Sequence, residues 1–366
     1  RQLSLVFGGT LYAISAVLCA FMTGLALGAW GIGQFLSHKN KQKKTVNLVL
    51  LYGLIEGLIG LYGLFFPYGL ELISGFYAPI VNGTIELGFL LHWIEFFLST
   101  ALMLPATICM GATLPLIGSW SIGKNSERII SDISILYSLN TFGAVAGCLY
   151  TQTIALKYFG VSATNLTAIG MNFFVFLLCT PLRSYFIKSP SPKTPVIKHK
   201  INHVRSSTPN RKFSLLLIFI FAYSGMAALA SQILWTRVLV FPMGTTLNSF
   251  ALILATFLFG IALGSIMADK LLGNSNHVLK FILIQLSIAI SCIAILPLFE
   301  NLHEWTSKAD QLFYDLDNIA LKTIGIRSLF AFGLMFLPTL GFGLSFPLAN
   351  RININLFKTN SKTLGN

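Results

Sequence analysis

The residues able to do chemistry in this chain are the few ionisable ones set inside apolar runs. Glu56 lies about ten residues into such a run, near the midplane of a bilayer if the run spans one. An ionised carboxylate there costs about 3 kcal/mol, so it must face a cavity or a partner, or hold a proton. His92 and Glu95 are three residues apart and share one face of a helix. Together, Glu56, His92 and Glu95 have the chemistry to bind a cation, a polyamine or a proton. The structural reading outweighs this one: a buried hydrogen-bonded pair, with His92 simply near the outer headgroups. Asn140, in YSLNTFG, suits an interhelical hydrogen bond better than a ligand site.

The elements that position these residues follow from composition. The chain of 366 residues is 55% hydrophobic and 10% charged, with a mean hydropathy of +0.75. That leaves too little charge to cover a soluble protein's surface. The expected fold class is all-α, a polytopic membrane helix bundle. Spans are expected near 8–36, 46–67, 88–118, 133–156, 161–182, 213–235, 244–268, 279–299 and 327–349, because runs this long and apolar can satisfy their backbone in lipid only as helices. Pro105, Pro115, Pro338 and Pro347 are expected to kink the third and ninth spans.

Residues 1–28 recur at 237–264. Arg1, Leu3, Gly8, Thr10, Leu11, Leu18, Phe21, Gly24, Ala26, Leu27 and Gly28 each find an identical residue 236 positions later, where roughly 3 identities would arise by chance. A weaker echo pairs Gly111 and Pro115 with Gly343 and Pro347. The chain therefore reads as two copies of one unit. The approximate counterpart of Glu56 in the second copy is Gln285, so a charge is not a structural need of the repeat. Gly24 and Gly28, like Gly260 and Gly264, have the small-xxx-small spacing that lets helix backbones approach. Their expected role is packing, with the two halves meeting through this helix pair. Arg1 and Arg237 fall at the outer ends of equivalent helices, where snorkelling costs little.

Charge orients the bundle. With alternate loops placed inside, Lys39, Lys41, Lys43, Lys44, Lys124, Arg128, Lys270, Lys280, Arg351, Lys358 and Lys362 fall there with the eight basic residues of 183–212. That is 19 of the 25 Lys and Arg and places the 183–212 linker in the cytoplasm. The net charge of +13 is then a topology signal and an attraction to the anionic inner leaflet. Nucleic acid is excluded as a partner, since no recognition fold or aromatic pattern accompanies the charge.

The expected organisation is a first repeat over 1–182, the basic linker 183–212 and a second repeat over 213–366. A helix at 213–235 precedes the second Arg motif, and two helices follow the first MGATLPL segment. Restoring the absent counterparts gives two parallel six-helix repeats, as in the paired halves of major-facilitator transporters. On this reading the chain is a fragment, with the first helix of one repeat and the last two of the other beyond its ends. Cys19, Cys109, Cys148, Cys179 and Cys292 form no CxxC or metal-ligand pattern and read as packing residues. No metal site is expected. The sequons at Asn82 and Asn165 read as chance matches.

AYSGMAALASQILWTRVLVFPMGTTLNSFALILATFLFGIALGS (222–265) resembles the opening helices of the membrane-embedded spermidine synthase-like proteins, described as fused transporter/spermidine synthases. YGLIEGLIGLYGL (52–64), LPATICMGATLPLI (104–117) and LYSLNTFGAVAG (136–147) resemble further segments of that family, in its order. Gln232 departs from it, standing where an acidic residue is expected before LWTR. The resemblance implies an aminopropyltransferase-like catalytic domain after the helices, binding decarboxylated S-adenosylmethionine on a Rossmann-like sheet. No glycine-rich strand–turn–helix unit is present here, so no cofactor is expected in this chain. Two function classes stay open: the membrane module of such an enzyme, anchoring it and passing a polyamine or small cation, and a stand-alone secondary transporter. Either implies a multi-pass protein of the bacterial inner membrane.

Overall fold

A computed structural model of the chain describes residues 11–42, 46–83, 88–122, 129–186, 211–243, 247–272, 276–301, 304, 305, 307, 308, 311 and 326–363. Among them are nine long apolar helices, each able to cross a membrane by length and composition. They are α1 (Leu11–Lys41), α2 (Leu48–Gly83), α3 (Gly88–Ile122), α4 (Ile129–Tyr150), α5 (Gly160–Phe186), α6 (Arg211–Met243), α7 (Leu247–Leu272), α8 (His277–Glu300) and α9 (Ile326–Thr363). The fold is an all-α helical bundle of membrane type. Large aliphatic and aromatic side chains such as Phe65, Phe97, Leu177, Phe219 and Ile293 point outward, where only lipid makes that favourable.

The helices gather into two compact units. Residues 1–126 with 155–196 form unit 1, and residues 127–154 with 197–366 form unit 2. The units do not follow the repeat boundary: α4 comes from the first repeat yet packs along α7 of the second. Small polar groups line that seam. Ser265 Oγ donates to the Ser134 carbonyl at 3.4 Å, and Cys148 Sγ lies 3.4 Å from the Ala251 carbonyl. Phe142 meets Phe259 edge-on with ring centroids 5.7 Å apart, and Tyr137 stacks on Phe346 of α9 at 4.4 Å.

Helix starts repeat as the apolar runs do. Asn47 Oδ1 accepts from the Leu50 N–H at 3.1 Å, and Asn276 caps α8 by accepting from the Leu279 N–H. The two asparagines are 229 residues apart, the same interval that relates Val49 to Val278, Leu54 to Leu283 and Ile59 to Ile288. Pro105 and Pro115 lie inside α3, and Pro338 and Pro347 inside α9, both of which run on as helices through them. α2 likewise continues through Pro67 and Pro79 to Gly83, well past the expected end at residue 67.

After α4 the chain makes a π turn over Thr151–Ala155 and a single turn over Leu156–Tyr158 before α5 begins at Gly160. Gly160 has φ 74°, a left-handed conformation that costs a residue with a Cβ roughly 1–2 kcal/mol. A Cβ there would touch nothing, so the backbone penalty acts alone. Gly160→Ala should therefore lower the stability of the detergent-solubilised chain by about 1 kcal/mol, read as a lowered thermal midpoint. An unchanged midpoint would show that this turn relaxes without cost.

Outside the spans, Lys308 Nζ donates to Glu304 Oε1 at 2.6 Å and holds that carboxyl below the usual carboxylate range. Both side chains are largely exposed, so the pair contributes little to stability.

Candidate functional site

The repeated glycines come first, because they fix the helices that carry the carboxylates. A Cβ on Gly24 would overlap the Thr107 side chain, and one on Gly28 would overlap the Ile108 carbonyl. In unit 2, a Cβ on Gly260 would overlap Thr339 and one on Gly264 the Leu340 carbonyl. Gly111 and Gly343 return the contact, against the carbonyls of Leu25 and Ile261. Thr107 and Thr339 are 232 residues apart, the interval that also relates Gly111 to Gly343 and Pro115 to Pro347. In both units the glycines stand at close helix contacts. Each pair packs inside its own unit, α1 on α3 and α7 on α9. Sequence spacing shows that a glycine face exists; it does not show which small-residue helix fills it.

Glu56 sits on α2, half-buried, where the Tyr52 hydroxyl one turn earlier hydrogen-bonds its carboxylate. Cys109 of α3 and Cys179 of α5 lie close enough to feel its charge. Small residues on α2 make room for α5: a Cβ on Gly53 would press on Cys179, and one on Gly63 on Ile169. Asn165 Nδ2 also donates to the Gly63 carbonyl at 3.1 Å, which gives that sequon asparagine an internal role. In unit 2 the same register holds Gln285. Its Nε2 donates to Ser224 Oγ of α6 at 2.9 Å and to Ser345 Oγ of α9 at 3.2 Å, tying three helices with neutral hydrogen bonds.

Glu95 is 5% exposed. Its Oε1 accepts from the Tyr77 hydroxyl at 2.6 Å, and its Oε2 lies 3.6 Å from His92 Nδ1. His92 and Glu95 do share a face of α3, as their spacing predicts. Tyr77 lies beyond the expected span of 46–67 and was not legible as a partner; the extension of α2 to Gly83 carries it there.

The structure separates Glu56 from the His92–Glu95 pair. Tyr77, which touches Glu95, is 21 residues along α2 from Glu56, about 30 Å of helix. Cys109, which neighbours Glu56, is 14 residues along α3 from Glu95, about 20 Å. One ligand cannot bridge all three, so the joint site expected from the sequence becomes two sites at different depths of unit 1.

Asn140 is exposed on α4, and among the described residues no interhelical hydrogen bond engages it. Gly143 and Gly147, on the same face, would each accept a Cβ without contact. Gln232 is buried and Arg237 exposed on α6; Arg1, Asn82's side chain and most of the 183–212 linker lie outside the described residues. All five cysteines are free thiols. Among the described residues, no group of three or more His, Cys, Asp and Glu is placed to hold a metal ion.

The chain matches no protein-family model, no curated protein and no solved structure. Function must therefore be argued from these residues.

Proposed function

We propose that this chain is the integral-membrane module of a spermidine synthase-like protein and that it passes a small cation, a polyamine or a proton, at carboxylates of its first unit. The observation that carries this reading is an asymmetry between related positions. Unit 2 fills the α8 register with neutral Gln285, fully used in packing three helices, whereas α2 keeps a carboxylate at Glu56. A charge that the fold does not need, held at a cost of about 3 kcal/mol in lipid, is best explained by use. On this proposal the module sits in a bacterial inner membrane with residues 183–212 in the cytoplasm. A catalytic domain using decarboxylated S-adenosylmethionine would belong to the same protein and not to this module.

Glu56→Gln is the direct test, since it installs the residue of the second repeat with little change of shape. Polyamine or proton uptake into vesicles carrying the chain should fall at least about tenfold, as removal of a buried charged partner costs 2 kcal/mol or more. Unchanged uptake would reject a cation path through Glu56 and leave the module as an anchor. The second reading, a stand-alone major-facilitator-like secondary transporter, draws on the paired repeats; it predicts gradient-driven uptake by the chain with no catalytic domain present.

A further inference from the structure

The carboxylate of Glu95 is more deeply enclosed than that of Glu56 and is left half-satisfied. Oε1 takes the Tyr77 hydroxyl at 2.6 Å, while Oε2 has no hydrogen-bond partner. One turn deeper on the same helix, Ser99 Oγ is 0% exposed and also without a partner. His92, one turn toward the start of α3, keeps 39% of its side chain exposed and brings Nδ1 to 3.6 Å from Oε2. The order along this face of α3 is therefore a half-exposed imidazole, a buried carboxyl and a buried hydroxyl. Among the described side chains, Tyr77 from α2 and His92 from α3 itself are the titratable groups that face Glu95. α1, the other helix packed on α3, carries Tyr12 and Cys19 as its titratable side chains before His38. At the corresponding register the second repeat has Ile324 and Arg327, so the arrangement is not a need of the shared fold.

We propose that Glu95 is a proton-binding site, loaded through His92 from the end of unit 1 opposite Lys39 and Lys41. A proton is the ligand that fits. Among the described residues no third His, Cys, Asp or Glu joins His92 and Glu95 to hold a metal ion, and an ammonium group has no room beside a side chain that is 5% exposed. The loading step breaks the Nδ1–H bond of the His92 imidazolium and forms an O–H bond at Glu95 Oε2. An ion pair thereby becomes a neutral imidazole and a neutral acid, and the new hydroxyl faces Nδ1 at 3.6 Å. This deepens the cation reading above by naming a proton and a second site, and it can fail while passage at Glu56 stands.

Infrared spectroscopy of the purified chain during a pH titration, with no substrate present, tests the proposal apart from any transport assay. The expected result is a protonated-carboxyl stretch that disappears as pH rises and is missing in Glu95→Gln. Tyr77→Phe removes a hydrogen bond to the charged form, so the midpoint should move up by about one pH unit. His92→Gln should keep the band but slow its response to a pH jump by roughly a hundredfold. If Glu95→Gln removes no band at any pH, the carboxyl is not a proton site. Should that variant fail to fold, an unmoved midpoint in Tyr77→Phe would overturn the proposal equally.

Discussion

Valine at Gly28 or at Gly264 should destabilise the chain by about 3 kcal/mol or more, enough to empty the folded fraction of a detergent preparation. The reason is what stands opposite. At Gly28 the added carbon would collide with the Ile108 carbonyl, and at Gly264 with the Leu340 carbonyl. These are backbone atoms inside helices, so no rotamer change relieves the overlap and the whole helix pair must separate. Separation also forfeits the contacts of Gly111 and Gly343 from the other side. Gly143→Ala and Gly147→Ala serve as controls of the same chemistry. They too are four apart on one helix, yet a Cβ at either meets nothing. Both should be neutral or slightly stabilising, because alanine favours the helix. Monodispersity on size-exclusion chromatography and the thermal midpoint report the difference. Equal behaviour of the two glycine pairs would show that the close α1–α3 and α7–α9 packing is not what holds each unit together.

The second large effect is expected at Gln285. Replacement by leucine removes the donor to Ser224 and Ser345 and should cost about 1–3 kcal/mol. Individual side-chain bonds in membranes average about 0.6 kcal/mol, but this amide links α6, α8 and α9 at once. A double-mutant cycle with Ser224→Ala isolates the pairwise share and should return a coupling of at least about 0.5 kcal/mol. Additive effects would mean that Gln285 acts through packing alone. In unit 1, Glu56→Gln should leave stability nearly unchanged while altering uptake. The two positions of one repeat register would then be separated into a structural and a functional member.

Much of the fold was legible because a bilayer leaves few choices. Long apolar runs must satisfy their own backbone hydrogen bonds, so helix number and type follow from hydropathy. Boundaries were less legible where proline intervened. The second span was expected to end near residue 67, yet α2 continues through Pro67 to Gly83, since in a bundle neighbouring groups compensate for one lost donor. That extension is what places Tyr77 on Glu95. The His92–Glu95 pair was readable because a three-residue spacing is a local property of a helix. The Tyr52–Glu56 pair, at four residues, was equally local and lay in plain view.

Partners across helices were a different matter. The sequence by itself determined the class of fold, the duplication, the small-residue faces and the intramembrane carboxylates. Each of these is encoded in a run or a spacing within one segment. Only the tertiary structure decided that Gly24 and Gly28 meet Thr107 and Ile108, that α4 leaves its own repeat to pack on α7, and that Glu56 and Glu95 sit apart. In lipid the apolar faces of all the helices are nearly equivalent, and hydropathy cannot rank one pairing above another. The choice falls to close packing and to a few hydrogen bonds, which depend on shape at atomic contact.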